Sequence, residues 1–358
     1  MSRLVGFRRW RVECIRNRTP WRAKMTKTCK SMLRRRWIAI WVCSLVSTAS
    51  AYLADEPNAA AVWGQEIELP LHDRFDGDNA YAILKQLCDL GPRPTGSAPM
   101  TQQIEMLEGF FEKLGWETVR QSFELPHWRF DEPVEVTNLI VRHQPEARER
   151  ILLCCHYDTR PYPELDPVNP RGRFVGANDG ASGVALLCEL ARHLKQWQTD
   201  LGVDIVFFDA EEMIYDRRRD QLFVGSTYFA RQYATKRRDY FYRFGVLVDM
   251  VGDANLELYY ERNSLRLART VTRQVWQSAK VLREASFVPR PRHEISDDHL
   301  PLNEIARVPT TNLVDFDYPK IGSKQSYWHT EADTADKCSP ESLQKVGRVL
   351  LHWLQTQQ

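Results

Sequence analysis

Apolar residues recur along the chain in two rhythms. Residues 76–90 place Ala80, Ile83, Leu84 and Leu87 three and four apart, which predicts a helix. That pattern stops at Gly91-Pro92-Arg93-Pro94-Thr95-Gly96, a turn that no helix crosses. Residues 102–114 repeat the helical spacing through Ile104, Leu107, Phe110, Phe111 and Leu114. Residues 116–125 and 134–142 read as strands, and 144–149 as a polar hairpin loop. Ile151 to Cys155 is a continuous apolar run, as expected of a strand covered on both faces. Next come a helix over 181–194, a strand over 203–208, a helix over 226–233 and a strand over 244–248. Residues 256–260 form a short candidate strand and 265–281 one long amphipathic helix. A strand over 310–316 and a helix over 339–354, opened by Ser339-Pro340-Glu341, close the chain. This alternation predicts an α/β fold with a mixed, largely parallel central sheet and helices on both faces.

Composition changes the picture mainly at the N-terminus. The 358 residues are 43% hydrophobic and 27% charged, which suits one large domain with a leader. Lys+Arg 49 against Asp+Glu 47 leave a net charge of +2. The first 36 residues are crowded with Arg and Lys, so the remainder is acidic, which argues against nucleic acid as a partner. Arg34-Arg35-Arg36, the apolar run 37–46 and Ser47-Thr48-Ala49-Ser50-Ala51 together read as an export signal cut after Ala51. Left uncut, 37–54 is a single membrane anchor. Met25 and Met32 offer alternative starts. Residues 1–51 are therefore assigned as signal peptide or anchor, 52–75 as a poorly structured lead-in and 76–358 as the catalytic domain. The expected location is outside the cytoplasm, periplasmic or extracellular, with membrane contact only if the leader stays. Beyond the leader lie Cys88, Cys154, Cys155, Cys188 and Cys338, odd in number and without CxxC spacing, which read as buried free thiols.

The chemistry gathers where apolar runs end. In open α/β sheets, working groups collect beyond the carboxyl ends of the strands. Here those ends carry His156-Tyr157-Asp158, then Asp209-Ala210-Glu211-Glu212, then Asp249, and finally, through a long loop, Trp328-His329-Thr330. Gly176-Ala177-Asn178-Asp179-Gly180-Ala181-Ser182-Gly183 adds a carboxylate in a glycine-rich strand-to-helix turn. Each alone is an ordinary structural group. Together they point to a cation, because burying several unpaired carboxylates side by side is costly without one. Carboxylate and imidazole without thiolate suit catalytic zinc. Glu211 and Glu212 are adjacent and point apart, so one can hold metal while the other serves as base; spacing does not say which. Asp216-Arg217-Arg218-Arg219-Asp220 reads as a solvated charged loop, and Arg290-Pro291-Arg292-His293 as a rim loop. His299 is assigned to orienting Asp297 or Asp298.

The order His-x-Asp, Gly-Ala-Asn-Asp-Gly-Ala-Ser-Gly, Glu-Glu, Val-Asp-Met-Val-Gly and a late His-Thr resembles the zinc-dependent aminopeptidase clan over residues 76–356. Within it, Asp297-Asp298-His299 and Trp328 directly before His329 are most similar to glutaminyl-peptide cyclotransferases. That resemblance implies one zinc on Asp179, Glu212 and His329, Glu211 as proton shuttle, and Asp249 with Asp297 as a hydrogen-bonded acidic pair. It also implies that Trp328 walls the glutamine pocket. The implied reaction cyclises N-terminal glutamine of peptides or proteins to pyroglutamate and releases ammonia. The rival is a two-zinc aminopeptidase, whose ligands would be His156, Asp179, Glu212, Asp249 and His329, with Glu211 activating water. A third reading is an enzyme-derived binding protein that no longer catalyses.

Overall fold

In the computed structural model, residues 69–317 and 326–357 are described, so the signal or anchor segment, 1–51, lies outside them. A six-stranded sheet organises the domain. Its strands are β1 (Glu117–Leu125), β2 (Val134–His143), β3 (Glu149–His156), β4 (Gly202–Phe208), β5 (Phe241–Asp249) and β8 (Thr310–Val314). Their spatial order is β1-β2-β4-β3-β5-β8. The β1–β2 and β2–β4 pairs are antiparallel, and β3–β4, β3–β5 and β5–β8 are parallel. The sheet is thus mixed and largely parallel, as its sequence predicts.

Both faces are covered because the central strands alternate between two apolar clusters. On β3, Ile151, Leu153 and Cys155 face one cluster, whereas Leu152 and Cys154 face the other. The larger cluster takes side chains from α1 (Gly77–Asp89), α2 (Ala98–Leu114), α3 (Ser182–Leu194), α6 (Arg269–Leu282) and α8 (Pro340–Gln355). The smaller takes them from α4 (Val224–Thr235) and α7 (His299–Glu304). The helix ends obey local chemistry: Ser97 and Ser339 accept backbone N–H groups as N-caps, and Gly115 ends α2 in the left-handed region.

Four expectations change. Residues 144–149 are not a hairpin, since β4 inserts between β2 and β3, and loop polarity carries no information about which strand becomes the neighbour. The long helix at 265–281 is two, α5 (Arg262–Leu267) and α6, because Ala268 adopts φ −134 and ψ 34 while the apolar spacing runs on unbroken. The short strand is β6 (Leu258–Tyr260), which leaves the main sheet to pair with β7 (Phe287–Pro291), a strand that Pro289 and Pro291 conceal in the sequence. Finally, the end of the lead-in is ordered: Leu71–Arg74 forms a 3-10 turn, with Leu71 and Phe75 buried in the main cluster. Residues 52–68 lie outside the described range. The five cysteines among the described residues are free; all but the half-buried Cys88 are buried. No helix among the described residues is long and apolar enough to cross a membrane.

Candidate metal centre and active site

The site stands at the carboxyl ends of the parallel strands. His156 ends β3, Glu211 and Glu212 come just after β4, and Asp249 ends β5. Asp179 comes from the turn before α3, His329 from the loop after β8, and Asp297 from the loop before α7. The turn at Asp179 is held from three sides. Gly176 (φ 61) and Gly180 (φ 99) take backbone angles that side chains resist, and a Cβ on Gly180 would meet the Asp158 carbonyl and the His156 ring at 3.1 Å. The Asp333 carboxylate accepts the N–H groups of Asn178 (2.8 Å) and Asp179 (3.0 Å). The Asn178 side chain in turn accepts the Gly252 N–H at 2.7 Å, tying the turn to the end of β5. Ala210, Phe223, Met250 and His329 also have positive φ, so backbone strain collects around the site, where the fold over-determines it.

Two sets of ligand atoms share Asp179. His156 Nε2 lies 3.2 Å from both Asp179 Oδ1 and Asp249 Oδ1. His329 Nε2 lies 3.3 Å from both Asp179 Oδ2 and Glu212 Oε1. Each trio can offer its atoms within 4.8 Å of one another. Ligands at ordinary zinc bond lengths in a tetrahedron sit roughly 3.3–3.4 Å apart, so these edges suit a zinc ion. Asp179 Oδ2 is buried and makes no hydrogen bond of good geometry within the described residues; its nearest partner is His329 Nε2 at 3.3 Å, in an acid-rich interior. The remaining ligand atoms are oriented. Arg160 pairs with Glu212 Oε2, and Glu164 Oε1 lies 3.0 Å from His329 Nδ1, which leaves Nε2 for the metal side. Asp158 accepts the N–H groups of Glu211 (3.2 Å) and Glu212 (3.0 Å), aiming the two neighbours differently. The residues present fit a zinc ion.

Electrostatics carry the same message. Burial pushes His329 down, but Glu212, Asp179 and Glu164 outweigh it and raise it to about 11. Burial would raise Asp179, yet His156 and His329 hold it well below the usual carboxylate range. Burial, then the neighbouring Glu212 charge, push Glu211 well above that range. Burial, opposed by the His156 hydrogen bond and reinforced by the Asp297 charge, lifts Asp249 to about 7.

A cavity of about 320 Å³ opens over these groups. Glu211, Asp249 and Asp297 are among its acidic lining residues, and Trp328 and Phe316 among its aromatic ones. The Trp328 ring lies 4.0 Å from that of His329 and 5.0 Å from that of Phe316. Asp249 and Asp297 face the cavity together without a hydrogen bond between them. Asp297 instead accepts from Asn312 Nδ2 (2.7 Å) and the Asp298 N–H (2.6 Å). His299 pairs with Glu261 at 3.3 Å and makes no hydrogen bond to either acid, although its charge counters the burial that raises Asp297; the side chain that donates to Asp297 is Asn312. Arg292 and His293 pair with Asp317, and none of the three lines the cavity. Sequence reasoning assigns no role to Glu164, Asp333 or Asn312. They lie far along the chain from the groups they hold, and only their contacts single them out.

Residues 138–354 match peptidase family M28. A glutaminyl cyclase of Fimbriiglobus ruber superposes with a TM-score of 0.75 at 37% identity, covering 80% of this chain and 96% of that one. A leucine aminopeptidase precursor of Bacteroides thetaiotaomicron does so with a TM-score of 0.73 at 32% identity, covering 81% and 99%. The glutaminyl-peptide cyclotransferase of Bothrops jararaca is 25% identical over 346 residues, covering 86% of this chain and 83% of its own. The chain belongs to peptidase family M28 and shares its fold with the bacterial glutaminyl cyclases.

Proposed function

We infer that the protein is a zinc-dependent glutaminyl-peptide cyclotransferase, acting on peptide or protein N-termini. The observation that carries the reading is Asp297, which lines the cavity together with Asp249, Glu211 and Trp328. A two-metal hydrolase would use Asp249 as a ligand and would have no evident use for a further carboxylate there. Three acids lining the one cavity beyond the proposed zinc ligands suit a substrate ammonium or amine.

Asp179, Glu212 and His329 are the proposed ligands of one zinc ion. When bound, zinc would supply a Lewis acid for the side-chain amide carbonyl. His156 then bridges Asp179 and Asp249 by hydrogen bonds rather than holding a second ion. Asp249 and Asp297 bind the α-amine and turn it toward the amide carbon, while Trp328 packs on the folded glutamine side chain and excludes water. The amine nitrogen forms the lactam C–N bond. Glu211 accepts a proton from that nitrogen and returns one to the departing amide nitrogen, so the C–N bond breaks with ammonia as leaving group. Burial and the neighbouring Glu212 charge hold the Glu211 carboxyl above its usual range, which suits a group that both takes and returns a proton. Export of the mature chain is part of the same proposal and rests on the basic and apolar N-terminal sequence.

The test presents purified protein with a glutaminyl peptide and a leucyl anilide side by side. Ammonia release with an intact peptide chain is the expected result; release of free amino acid, with about two zincs per chain, would establish the aminopeptidase instead.

A further inference from the structure

The loop carrying Asp216-Arg217-Arg218-Arg219-Asp220 is built rather than loose. The Asp220 carboxylate accepts the N–H groups of Tyr215 (2.6 Å) and Asp216 (2.8 Å) and also pairs with His127. The Asp216 carboxylate accepts the Arg218 N–H at 2.9 Å, and the Arg219 guanidinium stacks on Trp128 at 3.7 Å. This frame puts Arg217 on the wall of the catalytic cavity, whereas Arg218 and Arg219 do not line it.

Arg217 is the exposed cation of that wall, since the other lining arginine, Arg160, is buried against Glu212. Its side chain is 60% exposed and gives one nitrogen to Glu164 Oε1 at 3.0 Å. The same oxygen serves Arg160 (2.9 Å) and His329 Nδ1 (3.0 Å), so Glu164 does not neutralise Arg217 alone. A guanidinium has five N–H donors, and most of those on Arg217 stay open to the cavity mouth. Around it the mouth is apolar, with Ile214, Leu222 and Ile295. A substrate amine drawn to the inner acids leaves the next residues of the peptide at this mouth.

We propose that Arg217 selects substrates carrying an acidic side chain just after the N-terminal glutamine. The proposal rests on the cyclotransferase reading. A partly exposed Arg–carboxylate contact, bidentate at best, is worth about a three- to tenfold preference in kcat/KM, weakening as salt rises.

The experiment compares kcat/KM for Gln-Glu, Gln-Ser and Gln-Lys peptides in wild type, Arg217→Glu and Arg218→Glu. The two variants change net charge equally, but only the first alters the cavity wall. The expected result is Gln-Glu preferred by wild type and by Arg218→Glu, with the order reversed in Arg217→Glu. Equal rates on all three peptides in wild type would overturn the proposal, as would an equal loss of preference in both variants. Absence of pyroglutamate from every peptide is a different failure, which removes the cyclotransferase reading and this one with it.

Discussion

Glu211 and Glu212 are chemically identical neighbours, and their surroundings separate them. Both line the cavity, but Glu212 is 6% exposed, paired with Arg160 and 3.3 Å from His329 Nε2, whereas Glu211 is only half-buried and has no such partners. Replacing Glu211 by Gln preserves shape and the backbone bond to Asp158 but removes the proton carrier. Turnover is expected to fall by about 10²–10⁴ with zinc content unchanged. Glu212→Gln is expected to lose zinc. Metal analysis beside an ammonia assay separates the two, and loss of metal from Glu211→Gln would reverse the assignment. Of the site, Glu211, Glu212 and Asp249 were legible at this scale because they follow apolar runs and Asp179 because of its glycine turn, whereas Asp297 came only from the family resemblance. Arg217 was not legible: its charge pattern reads as solvent-facing, and only the frame made by Asp220 and Asp216 turns it toward the cavity.

At the scale of elements, the start of α3 sets the position of Asp179. A Cβ on Gly183 would meet the Cys155 Cβ and the Val248 carbonyl at 2.8 Å, so α3 rests directly on β3 and β5. Gly183→Ala is therefore expected to cost about 1–3 kcal/mol in denaturant unfolding and to weaken zinc retention, although alanine favours helix. An unchanged unfolding midpoint would show that the helix and the strands have room to give there.

The short helix α5 gives a pH-dependent counterpart. Glu261 caps it, accepting the N–H groups of Asn263 and Ser264, and also accepts that of Ile295. Burial acts upward on this carboxyl, but His299 and the backbone N–H groups outweigh it and lower it from 4.5 to about 2. A depressed folded-state value means that stability is present above the unfolded value and is lost as pH falls from about 4.5 to about 2. That amounts to about 3 kcal/mol. The stability gap between wild type and Glu261→Gln, measured by urea unfolding, is expected to shrink over that window; a gap independent of pH would refute the cap's electrostatic share. The split between α5 and α6 was invisible in the sequence, because one residue, Ala268, changes its backbone angles without disturbing the apolar spacing.

For the whole molecule, the acids of the site come from elements far apart in sequence and meet only when the sheet is complete. A metal that binds this assembled set, and not the unfolded chain, must stabilise the fold. Removal of zinc by a chelator is expected to lower Tm by several degrees and zinc addition to restore it. A Tm indifferent to both would mean that the cluster is held by its own His–carboxylate pairs.

The sequence by itself determined the fold class and the ends of the main-sheet strands, and it singled out the residues proposed as metal ligands. Apolar runs and glycine turns are local signals, and each strand of the main sheet had enough of them to be read alone, whereas β7, with Pro289 and Pro291, did not. It also left one zinc or two open, since His156, Asp179, Glu212, Asp249 and His329 serve either count. The tertiary structure decided what depends on distance: β4 between β2 and β3, His299 on Glu261 rather than on the acids, Asp297 on Asn312, and Arg217 at the cavity. Those are meetings of residues many positions apart, and nothing in a residue's own neighbourhood along the chain encodes which distant side chain it will touch.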